Sequence, residues 1–309
     1  ARHPKAISAS LASLLLAATL LPGSASAQQA PSDLALPARS YVLSDFTSNQ
    51  ILLSKNANTR VEPASLTKLM TAYLTFAALK QGKLTLNQSL TPSADVLRTL
   101  GEESRMFLQA GKQVSVMELV HGLIVQSGND ASRTLAIAIA GDENTFVAMM
   151  NKEAQRLGMK DTHFVNSTGM PHPQHYSSAY DLALVSAATV RDFPEYYALY
   201  SLRSYQYNNI KQENRNRLLW MDPNVDGMKT GHAESAGFCL VASAKRNKRR
   251  LISVLLGATS DSLRSTESQK LLNYGFQYFD TVRLYQKNQI ATSLRLWKGT
   301  DNKLDVGFL

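Results

Sequence analysis

The sequence predicts an α/β fold of the segregated α+β kind: one antiparallel sheet packed against a large helical cluster. Three observations lead there. A strand pair, SYVLSD and QILLSKN, sits near the start of the folded region. A second pair, GFCLVASA and RLISVLLGA, follows residue 236 and is joined by the basic turn KRNKR. Between them, from about Ser65 to Ala188, the chain is mostly helical in pattern. The two hairpins are the strongest strand signals, so they are expected to share one sheet.

Residues 1–27 read as a secretory signal. Arg2, His3 and Lys5 form a basic start, LASLLLAATLL an apolar stretch, and Ala25-Ser-Ala27 a small-residue cleavage site before Gln28. The apolar run is short for a bilayer span, so export is preferred to an N-terminal anchor. The missing initiator methionine marks the chain as a fragment. Residues 28–37, QQAPSDLALP, are expected to be a flexible leader, and 38–289 the main domain.

Within that domain the first hairpin turns at Thr47–Asn49. Pro63 suits a helix start, and LTKLMTAYLTFAALKQG carries the helix from Leu66 to a cap at Gly82. Ser115-Val-Met-Glu118 fits a capping box, followed by an apolar stripe of Val116, Leu119, Val120, Leu123 and Ile124. A second helical run starts at about Ala131. Another helix spans Asp142 to Leu157, with Phe146, Met149, Met150 and Leu157 on one face and Gly158 ending it. The later hairpin covers Gly237 to Thr259, and a final helix covers about Thr266–Asp280. From Ile290, SLRLWKG and KLDVGF alternate polar and apolar residues around Gly299-Thr-Asp-Asn302. This is a fresh hairpin, marginal alone, and is read as the beginning of a truncated β domain over 290–309.

Composition narrows the function classes. The 309 residues are 44% hydrophobic, enough for a sizeable core. The formal charge of +9, from 33 basic and 24 acidic residues, suits work beside anionic wall polymers and lipids. Nucleic acid is not expected as a partner, because the one clear basic cluster, KRNKRR, is a hairpin turn without interleaved aromatics. Cys239 is the single cysteine, which excludes an internal disulfide, and its apolar strand makes it a packing residue. The six histidines (His3, His121, His163, His172, His175 and His232) form no His-Glu-x-x-His, and His172-Pro-Gln-His175 lies in a proline-broken loop. No metal site and no cofactor are expected.

Three short motifs occur in one order at wide spacing: Ser65-Leu-Thr-Lys68, Ser127-Gly-Asn129 and Lys229-Thr-Gly231. Each is weak alone, and Ser54-Lys-Asn56 also matches the second. Together they offer a serine nucleophile, two proton-handling groups and a cationic strand edge bearing a hydroxyl. Ser65 at a helix N-terminus would meet backbone N–H groups that favour developing negative charge. Lys68, one turn on and on the same face, would take the serine proton if burial and neighbouring cations lower its pKa. Ser127 and Asn129 lie where a buried helix ends, aimed at a cleft or capping the next helix. Lys229, as a fixed positive charge, and Thr230 would line the cleft from a strand that the third motif opens.

These motifs, with PASLTKLMTAY, SRMFLQAGKQVSV, LIVQSGNDA, NRNRLLW, VDGMKTGH and SAGF-LVASA, make the chain resemble the low-molecular-mass penicillin-binding proteins. The resemblance runs from about Ala38 onward and is specific to the D-alanyl-D-alanine carboxypeptidases. It implies a β-lactamase/transpeptidase-like fold. It further implies that Ser65 attacks the penultimate D-alanine carbonyl of a peptidoglycan pentapeptide, with Lys68 as base. Ser127 would relay a proton to the leaving amine, and Asn129 would hold the substrate amide. Lys229, Thr230 and Gly231 would bind the terminal carboxylate. The backbone N–H groups of Ser65 and His232 would form the oxyanion hole. Arg215 and Arg264 fall on positions that face or support the carboxylate, though each also reads as a surface ion pair or packing residue. β-Lactam antibiotics would acylate the same serine. The resemblance also implies a periplasmic enzyme held at the inner-membrane surface by a C-terminal amphipathic anchor that these residues do not include.

One segment departs from the family. Thr168 precedes Gly169, where a histidine or asparagine is usual, which bears on deacylation and on the lifetime of a penicillin adduct. Two relatives share the motifs. A class A β-lactamase would need Glu-x-x-Leu-Asn between Asn129 and Lys229, and none occurs. A D,D-endopeptidase that cuts cross-links is separated poorly by sequence. A non-catalytic wall-binding protein would have lost a motif residue, and none is lost.

Overall fold

The computed structural model describes residues 34–98, 103–282, 285–297 and 301–307. The signal expected over 1–27 and most of the leader lie outside these residues. The leader's last residues are packed rather than free: Leu36 is buried, and Tyr41 Oη donates to the Leu34 carbonyl at 3.2 Å. Apolar contact brings Leu34 and Leu36 into the domain.

A five-stranded antiparallel sheet forms the centre, built from β1 (Ser40–Asp45), β2 (Gln50–Lys55), β3 (Val225–Ala233), β4 (Gly237–Arg246) and β5 (Arg249–Ala258). Its order is β2-β1-β5-β4-β3, so the two hairpins expected from sequence meet at β1 and β5. The three central strands carry buried apolar runs because both faces are covered. Val42 points into one core cluster with Val241, Ile252 and Val254, while Leu43 points into the other with Leu240, Leu251 and Leu255. The period of two along each strand splits the residues between the faces.

The first face carries the helical cluster: α1 (Lys68–Lys80), α2 (Val116–His121), α3 (Asn129–Ala140), α4 (Glu143–Arg156) and α5 (Ala179–Asp192). Helix α1 is buried on nearly every side, leaving only Ala77 and Lys80 less than buried, as an all-round apolar pattern demands. The capping box at Ser115 forms, with Glu118 N donating to Ser115 Oγ and Ser115 N to Glu118 Oε2. The opposite face carries the short α6 (Leu218–Met221) and the long α7 (Asp261–Tyr278).

Three expectations need correction. Helix α7 begins at Asp261 rather than Thr266, because the Ser260 hydroxyl caps it by accepting from Leu263 N. The third motif does not open a strand: it lies inside β3, one strand earlier than the GFCLVASA run and at the sheet edge. The helical run after the second motif starts at Asn129, with neither Ser127 nor Asn129 supplying a side-chain cap. Beyond the domain, Ile290–Arg295 pairs with Lys303–Gly307, and both strands are exposed.

The loop from Asn166 to Met170 crosses beneath the turn at residues 64–67. The Asn166 side-chain oxygen accepts from the backbone N–H of Thr168, Gly169 and Met170, tying the loop into one shape. Gly169 holds φ +87°, and a Cβ there would lie 1.8 Å from the Ala64 carbonyl oxygen. A side chain at 169 therefore meets both a disfavoured backbone and a backbone clash. Gly169→Ala is expected to lower stability by about 1–3 kcal/mol and to slow acylation. Thermal unfolding and acylation rate check this, and an unchanged midpoint would show that the loop is not wedged against the turn.

Candidate active site

Three chain segments converge on one cleft: the turn before α1, the α2–α3 junction and the edge strand β3. The first is a 3-10 turn, Ala64–Thr67, running straight into α1. Ala64 sits at φ +46°, an uncommon conformation for alanine, immediately before Ser65. Ser65 remains partly exposed while Lys68 is buried. Lys68 Nζ donates to Ser65 Oγ at 3.1 Å and to the Thr168 carbonyl at 2.7 Å.

At the second segment a π-helical turn, Gly122–Gln126, ends in Ser127 at φ +59°. This left-handed residue turns its hydroxyl toward β3, where Lys229 Nζ donates to Ser127 Oγ at 2.8 Å. Asn129 is buried beside it, with Nδ2 donating to Glu103 Oε2 at 2.5 Å and Oδ1 left without a partner. Asp130 Oδ1 and Oδ2 accept from the backbone N–H of Met106 and Leu108, fixing the neighbouring wall.

At the third segment Lys229 Nζ also donates to the Thr230 carbonyl at 3.0 Å. Gly231 follows, and a Cβ there would lie 3.0 Å from the Pro63 carbonyl oxygen. Its lack of a side chain lets the strand approach the turn that carries Ser65. Ser65, Ser127, Arg215, Thr230, Gly231, His232 and Arg264 all line one cavity of about 920 Å³. Lys68 and Lys229 are buried behind it and hydrogen-bond to two of its serines.

Both arginines reach this cavity, each with protein partners of its own. Arg215 Nη1 donates to Ser104 Oγ at 2.8 Å. Arg264 is buried, donates from Nη1 to the Gly231 carbonyl at 3.1 Å and forms an ion pair with Asp261.

The electrostatics of the two lysines set the chemistry. Burial, with help from the Arg215 and Arg133 charges and against those of Glu103 and Asp130, lowers Lys68 to about 7. Burial also pushes Lys229 well below the ordinary lysine range, with Lys68, Arg215 and Arg264 adding repulsion. No carboxylate touches either amine among the described residues. Burial and like charge thus oppose protonation of Lys229, the residue expected from the sequence to supply a fixed positive charge.

Sequence reasoning missed the Thr168 carbonyl, which shares Lys68 with Ser65. A backbone oxygen leaves no mark in residue identity, although Asn166 and Gly169, which shape the loop, do. It also missed Glu103 and Ser104, which hold Asn129 and Arg215. His175, read as a loop residue, is buried: Val165 N donates to its Nδ1 and its Nε2 meets Thr67 Oγ1 at 2.8 Å. Burial first, then His163 and His172, lowers it to about 4. As a neutral ring it supports the residue two places after Ser65. Cys239 is buried in β4.

Comparison with known proteins agrees with this geometry. Residues 25–260 match the family model for D-alanyl-D-alanine carboxypeptidases, peptidase S11. The chain is 43% identical over 284 residues to D-alanyl-D-alanine carboxypeptidase DacC of Escherichia coli strain K12, covering 90% of this chain and 70% of that protein. It is 44% identical over 277 residues to DacA of Haemophilus influenzae, covering 89% of this chain and 70% of that protein. Penicillin-binding protein 5 from Haemophilus influenzae superposes with a TM-score of 0.87 at 43% identity, over 90% of this chain and 82% of that one. Penicillin-binding protein D2 from Listeria monocytogenes, in an ampicillin-bound form, superposes at 0.72 with 29% identity, over 80% of this chain and all of that one. With the three motifs gathered at one cleft and matches of this extent, the chain belongs to the D-alanyl-D-alanine carboxypeptidase family of serine hydrolases.

Proposed function

We propose that this chain removes the terminal D-alanine from peptidoglycan pentapeptides through an ester on Ser65, and that β-lactams acylate the same oxygen. The hydrogen bond from the buried Lys68 amine to Ser65 Oγ carries this reading. An ordinary lysine is neutral in about one molecule in three thousand at pH 7. With its pKa near 7, Lys68 is neutral about half the time and can accept a proton.

In the first step Ser65 Oγ attacks the penultimate D-alanine carbonyl and its proton passes to Lys68 Nζ. Negative charge gathers on the carbonyl oxygen, where the backbone N–H groups of Ser65 and His232 are assigned as donors. Donors of this kind contribute on the order of 3–4 kcal/mol. The amide C–N bond then breaks and the leaving amine takes the proton that Lys68 received, relayed through Ser127, which Lys229 holds by a hydrogen bond; Lys68 is left neutral. Terminal D-alanine departs, leaving the acyl ester on Ser65. Water attacks the ester next, giving its proton to Lys68; the acyl C–O bond breaks, the shortened peptide leaves as its acid, and Lys68 returns the proton to Ser65 Oγ. Thr230, Gly231, Arg215 and Arg264 are assigned to the terminal carboxylate, and Asn129 to the substrate amide. The Thr168 carbonyl keeps the Lys68 amine in place through the cycle.

The basic, apolar and small-residue pattern over residues 1–27 supports export, and the wall substrate supports action in the periplasm. No described helix is long and apolar enough to cross a membrane.

Intact mass after mixing with benzylpenicillin should show one added drug mass on the wild-type protein and none on Ser65→Ala. An adduct that survives Ser65→Ala would reject Ser65 as the nucleophile. The pH dependence of kcat/KM should rise through about 7 as Lys68 loses its proton. Because Arg215 depresses that pKa, Arg215→Gln should move the rising limb to higher pH as well as weaken substrate binding. If the limb keeps its position in that variant, Lys68 is not the group being titrated.

A further inference from the structure

The cavity at Ser65 extends beyond what a terminal D-alanine needs. Besides the cations assigned to the carboxylate, it is lined by Trp220, Met221 and Phe238. Trp220 is 44% exposed and Met221 42% exposed, both well above what large apolar side chains of a packed core show. They belong to α6, whose other two residues, Leu218 and Leu219, are buried in the sheet's second core. The turn is held further by Arg203, which donates from Nε to the Leu219 carbonyl at 3.1 Å and lies 5.9 Å from the Trp220 ring. The anchoring leucines fix the backbone, so Trp220 and Met221 stay on the cavity wall. The nearby Arg217 is occupied by Asp261 at 2.6 Å, which removes one free charge from that wall.

A leaving D-residue carries its side chain and its carboxylate on the same carbon, with Cβ about 2.5 Å from the carboxyl carbon. Wherever Thr230, Arg215 and Arg264 hold the carboxylate, that side chain enters this chamber. Alanine places one methyl there. An aromatic and thioether wall favours a longer apolar side chain, through area burial and sulfur–aromatic contact.

We infer that the leaving-group end accepts D-residues with long apolar side chains, so that the chain also releases D-methionine and D-leucine from peptides ending in D-alanyl-D-Xaa. The inference rests on the acyl-enzyme reading above. The same amide breaks and the same amine takes the proton, and only the side chain on the departing residue changes.

The test uses diacetyl-lysyl-D-alanyl-D-Xaa with D-alanine, D-methionine or D-leucine at the end, and chiral chromatography of the released residue. For the wild-type protein kcat/KM on D-methionine should lie within about tenfold of D-alanine, the scale of one small change in an apolar pocket. In Trp220→Ala and Met221→Ala the D-methionine to D-alanine ratio should fall about tenfold. The stoichiometry of benzylpenicillin acylation reports whether each variant keeps a folded site. A wild-type preference for D-alanine above about a hundredfold would overturn the inference. An unchanged ratio in variants that still acylate would overturn it too. Loss of release from D-alanine as well, in wild-type protein, would instead sink the acyl-enzyme reading and this inference with it.

Discussion

The Lys68 amine is the group around which the rest of the site is arranged. It is buried at the base of a cleft, bonded to a hydroxyl and a carbonyl, and touched by no carboxylate among the described residues. The shift from 10.5 to about 7 corresponds to roughly 5 kcal/mol against its protonated form. That cost is borne by the fold and creates a base at neutral pH. A carboxylate in contact would cancel it and return the amine to its ordinary, charged state. Glu103 and Asp130 are near enough to oppose the shift, but Glu103 bonds Asn129 and Asp130 bonds backbone N–H groups. Their charge is spent on the wall rather than on the lysine.

Holding an amine in that state requires tight closure from several directions. The sheet contributes an edge strand, β3, whose outer side is free to face the serine turn. Gly231 permits the approach from that side and Gly169 from the loop beneath. Both glycines stand where a Cβ would strike backbone near residues 63–67. Ala64 and Ser127, on two walls of the cleft, both hold positive φ. Strained residues persist where surrounding packing over-determines them. Here that packing is α1, buried almost all round, and the neutral His175 against Thr67.

Much of this was legible in the residues. The strand pairs, the capping box and the apolar runs place the sheet and the helices, because patterning and caps are local signals. The motif order points to the cleft, because each motif carries its own side-chain chemistry. The register of the third motif within β3 was not legible, since VDGMKTGHA lacks the apolar run that marks the central strands. An edge strand has only one side paired and need not be apolar throughout. The start of α7 was missed because Ser260-Asp-Ser262 reads as a turn until its cap bond to Leu263 is seen. The Thr168 carbonyl could not be read at all, because every residue carries one. The wall of Trp220 and Met221 is written in LLWM, but four apolar residues in a row do not say which two are buried.

The forces opposing charge at Lys229 bear on how a carboxylate is recognised. Lys229, Lys68, Arg215 and Arg264 lie close enough to repel one another, and among the described residues only Arg264 of these has a carboxylate partner. In the free protein this repulsion and burial both disfavour the protonated form of Lys229. An arriving terminal carboxylate supplies the missing negative charge at the cavity wall where Thr230 and Arg215 lie. An anion there favours the charged form of Lys229 and raises its pKa. The substrate carboxylate thus favours the very charge that strengthens its own binding. A peptide with a neutral C-terminus brings no anion, and it must enter a cluster of cations without compensation. Selection for a free carboxylate then follows from the repulsion already stored among the cations, as well as from any hydrogen bond to the carboxylate itself.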